Sequence, residues 1–145
     1  MPLLNYTTEV AAARTVSTIT AMLATSGARR IMTDFDGLGH PIGVGFSVET
    51  IHGVRGFHLP VNTAAVEKVL RRDRKVPPRY KTPEQAERVA WRILKDWLEA
   101  QLAIIATEMV TLDQVMLPYM QGDDGRTVYQ LYLDQQLALG ASEVG

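Results

Sequence analysis

Ten residues in the middle of the chain have the chemistry of an anion-binding surface. Arg71, Arg72, Arg74, Lys75, Arg79 and Lys81 surround Tyr80, and Arg88, Arg92 and Lys95 continue the cationic pattern, with Trp91 among them. Cations that neutralise phosphates, interleaved with aromatic rings that stack on bases, are what binding to nucleic acid requires, single strands foremost. The same residues also read as a solvated basic surface. Trp91 and Trp97 at helical spacing belong more often to a core than to a stacking platform.

The net charge of −1 over 145 residues hides this segment. Residues 1–66 are neutral, residues 67–95 carry ten cations against four acids, and residues 96–145 carry Arg126 against eight acids. The total is therefore the sum of segments at 0, +6 and −7. Such asymmetry points to an anionic partner, or to a basic surface neutralised by the acidic third of the same or a neighbouring subunit.

Other chemistry is weaker. Thr33-Asp34-Phe35-Asp36-Gly37 resembles the Asp-x-Asp-Gly start of haloacid-dehalogenase-type phosphatases, in which the first carboxylate is the nucleophile and the second the acid, with magnesium between them. Leu38 stands where that pattern has a threonine, and no repeated strand–helix units follow. Asp36-Gly37 equally starts a hairpin turn. His40 and His52 fall in turns at opposite ends of one strand, ~40 Å of extended chain apart, so they do not converge on a metal. A lone His58 on a strand reads as packed or solvated. Gly37, Gly39, Gly43 and Gly45 form a glycine-rich hairpin without the Gly-Lys-Ser/Thr of a phosphate loop. Gly43 and Gly45 leave one face of their strand bare, so that a helix or a flat ligand can come close. The chain has no cysteine, which excludes disulfides, thiol catalysis and cysteine-ligated metals. No catalytic set, metal site or cofactor is expected.

The elements that must position these residues follow from periodicity. Asn5–Val10 alternates and predicts a short strand; Ala11–Ser26 predicts a helix stopped by Gly27. Ala28–Asp36, Ile42–Thr50 and Val54–Leu59 predict an antiparallel meander, Ile42, Val44, Phe46, Val48 and Thr50 giving the clearest period-two row. Asn62 or Thr63 starts a helix to about Arg74. Val76-Pro77-Pro78 breaks it and favours a projecting, semi-rigid loop. Thr82, Pro83 and Gln85 then open a long helix near residues 82–109, with Thr82 and Gln85 as a capping box. Glu84–Arg88, Arg92–Asp96 and Lys95–Glu99 are its expected surface pairs. Beyond Trp97 its apolar stripe widens, which calls for wrapping by the C-terminal segment or for another subunit. Residues 112–120 predict a short helix ended by Pro118, and Thr127–Leu139 a last one with Val128, Leu131, Tyr132 and Leu137 inward. The order β-α-β-β-β-α-α-α describes one α+β domain over residues 1–145, an antiparallel sheet with helices on one face and a flexible end of a few C-terminal residues.

Val89–Leu102, Glu108-Met109-Val110, Leu117–Met120 and Asn5–Thr8 together resemble a family of small proteins of bacteriophages, prophages and related mobile elements, over most of the chain from Asn5 to about Tyr129. The resemblance implies a mobile-element origin and a host-cytoplasmic location, and it assigns no catalytic residue. The element order is also similar in architecture to the single-strand-binding domain of a thermophilic archaeal DNA-binding family. No run approaches the ~20 apolar residues of a membrane span, and Met1–Tyr6 lacks a signal-peptide pattern. The expected function is non-enzymatic binding of nucleic acid in replication or recombination by a homo-oligomer. The rivals are an anti-defence protein that binds a host immune component, its acidic third mimicking nucleic acid, and a phosphohydrolase using Asp34 and Asp36.

Overall fold

Val44, Phe46 and Val48 alternate with Gly43, Gly45 and Ser47 along one strand, so the two sets must face opposite sides of a sheet. In the computed structural model, which describes residues 2–143 and side chains as far as Gln135, this is what happens. The strand is β2 (Pro41–Thr50), between β1 (Arg30–Phe35) and β3 (Gly53–Pro60), and a two-residue β4 (Met120–Gln121) completes an antiparallel sheet of order β1-β2-β3-β4. The register sets Ile31 opposite Phe46 opposite Phe57, and Thr33 opposite Val44 opposite Leu59. These residues form the inner face, where Phe46 and Phe57 stack at 5.2 Å between centroids.

Helices α1 (Ala12–Thr25) and α3 (Pro83–Ala106) cover that face. Ile19 and Leu23 of α1 and Trp91 and Leu98 of α3 are fully buried against Val44, Phe46, Phe57 and Leu59. Trp91 also donates its indole N–H to the Pro41 carbonyl at 3.1 Å, which ties α3 to the start of β2. Helix α2 (Thr63–Arg72) lies along α3 and shares with it a second cluster of Leu70, Val76, Ala86 and Val89. Asn62 and Thr82 cap α2 and α3 by accepting from Ala65 N and Gln85 N. Helix α4 (Leu112–Met116) buries Met116 in the main core, so the widened stripe of α3 is covered in part by α1 and α4 of the same chain: Leu98 is buried, while Ile104 stays 38% exposed. Among the described residues no helix is long and apolar enough to cross a membrane.

The structure departs from the sequence expectations at several points. Asn5–Val10 is not a strand: Asn5 has φ 65° and turns the chain, with Tyr6 N donating to Leu3 O and Thr8 N to Asn5 O. The reason lies in Gln85, which is buried and donates to the Tyr6 and Thr8 carbonyls, both at 2.9 Å. That use of its side chain leaves the Thr82 capping box half made; the complete box is at Thr111 and Gln114. Arg92 does not pair with Asp96, whose carboxylate accepts from Asn5 Nδ2 at 2.7 Å and faces Lys95 at 3.5 Å. Glu84 does not pair with Arg88, which donates to Gln85 Oε1. The loop after α2 does not project freely. Val76 is buried, and a 3-10 turn over Pro78–Tyr80 packs Tyr80 edge-on against Tyr6 at 5.5 Å. Helix α5 (Val128–Glu143) stands beside the face that α1 and α3 leave open. Of the α5 residues expected inward, Val128 is half-buried but Leu131 and Tyr132 are exposed, because α5 packs little against the rest of the chain. Leu137 lies outside the described side chains, and the expected flexible end falls on residues 144–145, outside the described residues.

Candidate functional site

The last turn of α2 and the linker to α3 place the basic residues. Helix periodicity buries Leu70 and sends Arg71 and Arg72 outward, and Val76 and Tyr80 pin the linker so that Arg74, Lys75 and Arg79 point to solvent. Asp73 spends its carboxylate on Lys75 N at 2.9 Å. Among the described residues no carboxylate forms an ion pair with Arg72, Arg74, Lys75 or Arg79. The four are therefore exposed cations held on a short, anchored stretch.

The other six predicted residues behave differently. Arg71 pairs with Glu67 at 2.7 Å. Lys95 is largely covered and lies between Asp96 and Glu99. Arg88 is engaged by Gln85, and Lys81 and Arg92 are half-buried. Tyr80 makes a T-shaped contact with Tyr6 and has Arg79 stacked over its ring at 4.6 Å, so one face of the ring is already occupied. Trp91 is a core residue, and Trp97 packs edge-on against Tyr119. The phosphate-binding half of the expected pattern has exposed carriers; the base-stacking half is reduced to a partly covered Tyr80. The acidic third is partly neutralised within itself, because Arg126 meets Asp124 at 2.8 Å and Asp134 at 2.6 Å. The guanidinium holds the Asp124 carboxyl below its usual range, and Arg126 is raised in turn.

The structure brings together one pair that sequence reading treats separately. Asp34 on β1 and His58 on β3 both face the open side of the sheet, and Asp34 Oδ2 and His58 Nε2 are 2.9 Å apart across the intervening β2. The span is possible because β2 carries no side chain there: a Cβ at Gly43 would lie 3.1 Å from His58 Nε2 and 3.3 Å from the Leu59 carbonyl. The ring's donor and acceptor roles in this contact follow its tautomer. The pair borders a groove of about 600 Å³, whose far wall is Tyr129, Gln130 and Leu133 of α5. The signal available in sequence was Gly43 and Gly45 on the face shared by Asp34 and His58.

The phosphatase pattern does not assemble. Asp36 lies in the β1–β2 turn, its Oδ1 accepting from Leu38 N at 2.8 Å and His40 N at 2.9 Å, while Asp34 is directed to His58. These contacts, the His40 amide foremost, lower the Asp36 carboxyl from its ordinary value. His40 faces Glu87 of α3 at 3.4 Å, at the opposite end of β2 from His52. Among the described residues no three histidines or carboxylates are grouped to hold a metal ion. No family model, curated protein or solved structure matches the chain.

Proposed function

We propose that the protein is a non-enzymatic nucleic-acid-binding accessory protein of a phage or mobile element, working in the host cytoplasm in replication or recombination and self-associating. The observation that supports this is the group Arg72, Arg74, Lys75 and Arg79, four exposed cations without carboxylate partners among the described residues, on a stretch anchored by Leu70, Val76 and Tyr80. Anchored cations bind phosphates without the entropy of ordering a loop. With Trp91 buried and one face of Tyr80 occupied by Arg79, contact is mainly to the sugar–phosphate backbone, and the basis for preferring single strands is weakened.

The test is fluorescence anisotropy with labelled single- and double-stranded oligonucleotides over a range of salt. Four phosphate contacts give a slope of log affinity on log salt of about −3.6 for duplex and about −2.8 for single strands. Reversal of Arg72, Arg74 and Arg79 to glutamate abolishes binding at low salt. Undiminished affinity in that variant refutes the site.

The anti-defence reading has one observation in its favour: α5 leaves Tyr129, Leu131, Tyr132 and Leu133 each at least 40% exposed, which suits a protein partner. Its test is expression in a host with a defined nuclease-based defence. Restored plating of an otherwise restricted phage supports it, and unchanged plating contradicts it.

A further inference from the structure

We propose that β1 is a dimerisation edge, at which two copies of the chain join their sheets into one of eight strands with Met32 opposite Met32 of the second copy. This rests on the self-association proposed above and names its interface. β1 ends the sheet, so its outward N–H and C=O groups meet no strand among the described residues. Natural edges are blunted by proline, lysine, bulges or brevity. The opposite edge, β4, has two residues, whereas β1 has a single irregularity at its Asp34/Phe35 end and neither proline nor lysine. Its side chains are also uncovered: Met32 is 67% exposed, Phe35 59% and, in the turn that follows, Leu38 86%.

The charge pattern selects the partner and the register. Along the open face β1 reads Arg30, Met32, Asp34, and among the described residues Arg30 has no ion pair. A two-fold axis perpendicular to the sheet keeps each face on its own side, so directly opposite residues must have position numbers with an even sum. A sum of 60 sets Arg30 against Arg30, and a sum of 68 sets Asp34 against Asp34; both are repulsive. A sum of 64 sets Met32 against its own copy and places Arg30 opposite Asp34 on both sides of it. No other even sum pairs both charges of the face with each other. On the inner face the same register sets Ile31 opposite Thr33. Asp34 can serve both neighbours, because His58 takes Oδ2 and leaves Oδ1 for Arg30 of the second copy. The dimer thereby extends each Asp34–His58 pair into a three-residue chain with one member from the other copy.

The absence of cysteine makes the experiment clean. Residues directly opposite in antiparallel strands have Cα atoms about 4.5–5.5 Å apart, within the reach of a disulfide. Full-length Met32→Cys is expected to form a disulfide dimer under mild oxidation at micromolar concentration, and Val54→Cys, similarly exposed on the same face but on β3, two strands from β1, is not. In sedimentation equilibrium Arg30→Asp raises the dimer dissociation constant about tenfold or more, and adding Asp34→Arg returns it toward the original value. A protein that stays monomeric up to about 0.5 mM overturns both the interface and self-association. A dimer that survives Arg30→Asp, or that cross-links at 54 as readily as at 32, overturns the interface alone.

Discussion

Gly43→Ala tests whether the Asp34–His58 pair is a real feature of the sheet. The backbone at Gly43 does not lie in the left-handed region, so alanine itself fits, and its smaller unfolded-state entropy favours the variant by about 0.4–1 kcal/mol. Against this, the new methyl meets His58 Nε2 at 3.1 Å and the Leu59 carbonyl at 3.3 Å. The imidazole can swing away, at the loss of a partly exposed hydrogen bond to Asp34 worth about 1 kcal/mol. The carbonyl belongs to the β2–β3 ladder and moves only with β3, an overpacking cost of about 1–3 kcal/mol. The balance is destabilisation by about 1–2 kcal/mol, or a Tm lower by roughly 2–8 °C. In a His58→Ala background one of the two clashes is gone, and Gly43→Ala costs about 1 kcal/mol less. Urea unfolding followed by fluorescence of the buried Trp91 measures all four proteins of the cycle. A Gly43→Ala effect that is identical in the two backgrounds, or stabilising in the wild type, refutes the proposed contact between imidazole and strand.

Other outcomes are as definite. Thr15 is fully buried in α1 and its Oγ1 has no hydrogen-bond partner among the described residues, so Thr15→Val should raise stability by about 1 kcal/mol in denaturant titration; a loss would mean the hydroxyl is satisfied. Gln85→Leu deprives the Tyr6 and Thr8 carbonyls of their donor, and amide exchange of residues 5–10 should accelerate about tenfold or more while the sheet amides are unchanged. Asp36 has a lowered folded pKa, so its contribution to stability is present above its ordinary value near 3.8 and is lost as pH falls through the folded value. Asp36→Asn keeps the acceptor oxygen without the titration and should flatten the acid limb of a stability–pH profile below about pH 4. Trp91→Phe should cost about 1–3 kcal/mol through the lost bond to Pro41 and the lost volume, and leave nucleic-acid affinity unchanged; weakened binding at equal folding would return Trp91 to the interface.

Where local pattern decides structure, the sequence was readable. The alternation from Ile42 to Thr50, the Thr82-Pro83 start of α3 and the break at Pro77-Pro78 depend on neighbours in the chain, and β1–β3, α1–α4 and the α+β class follow from them. Asn5–Val10 misled because its alternation was real but its carbonyls found Gln85, 77 to 79 positions away, instead of a strand. β4 spans two residues and is too short to show a period. The cationic surface was legible as charge, while its division into free and engaged cations was not. Whether Lys95 serves Glu99 or a phosphate depends on side-chain placement along one helix face. The Asp34–His58 pair required the strand register, which brings residues 24 positions apart across a glycine.

The cationic site is tested most directly by the salt dependence of binding to oligonucleotides by the wild-type chain and its Arg72→Glu/Arg74→Glu/Arg79→Glu variant. Such a site predicts wild-type affinity falling with salt at a slope between about −2.8 and −3.6, and loss of binding in the variant with its unfolding transition unchanged. Wild-type affinity that is absent at about 50 mM salt, or flat as salt rises, contradicts it.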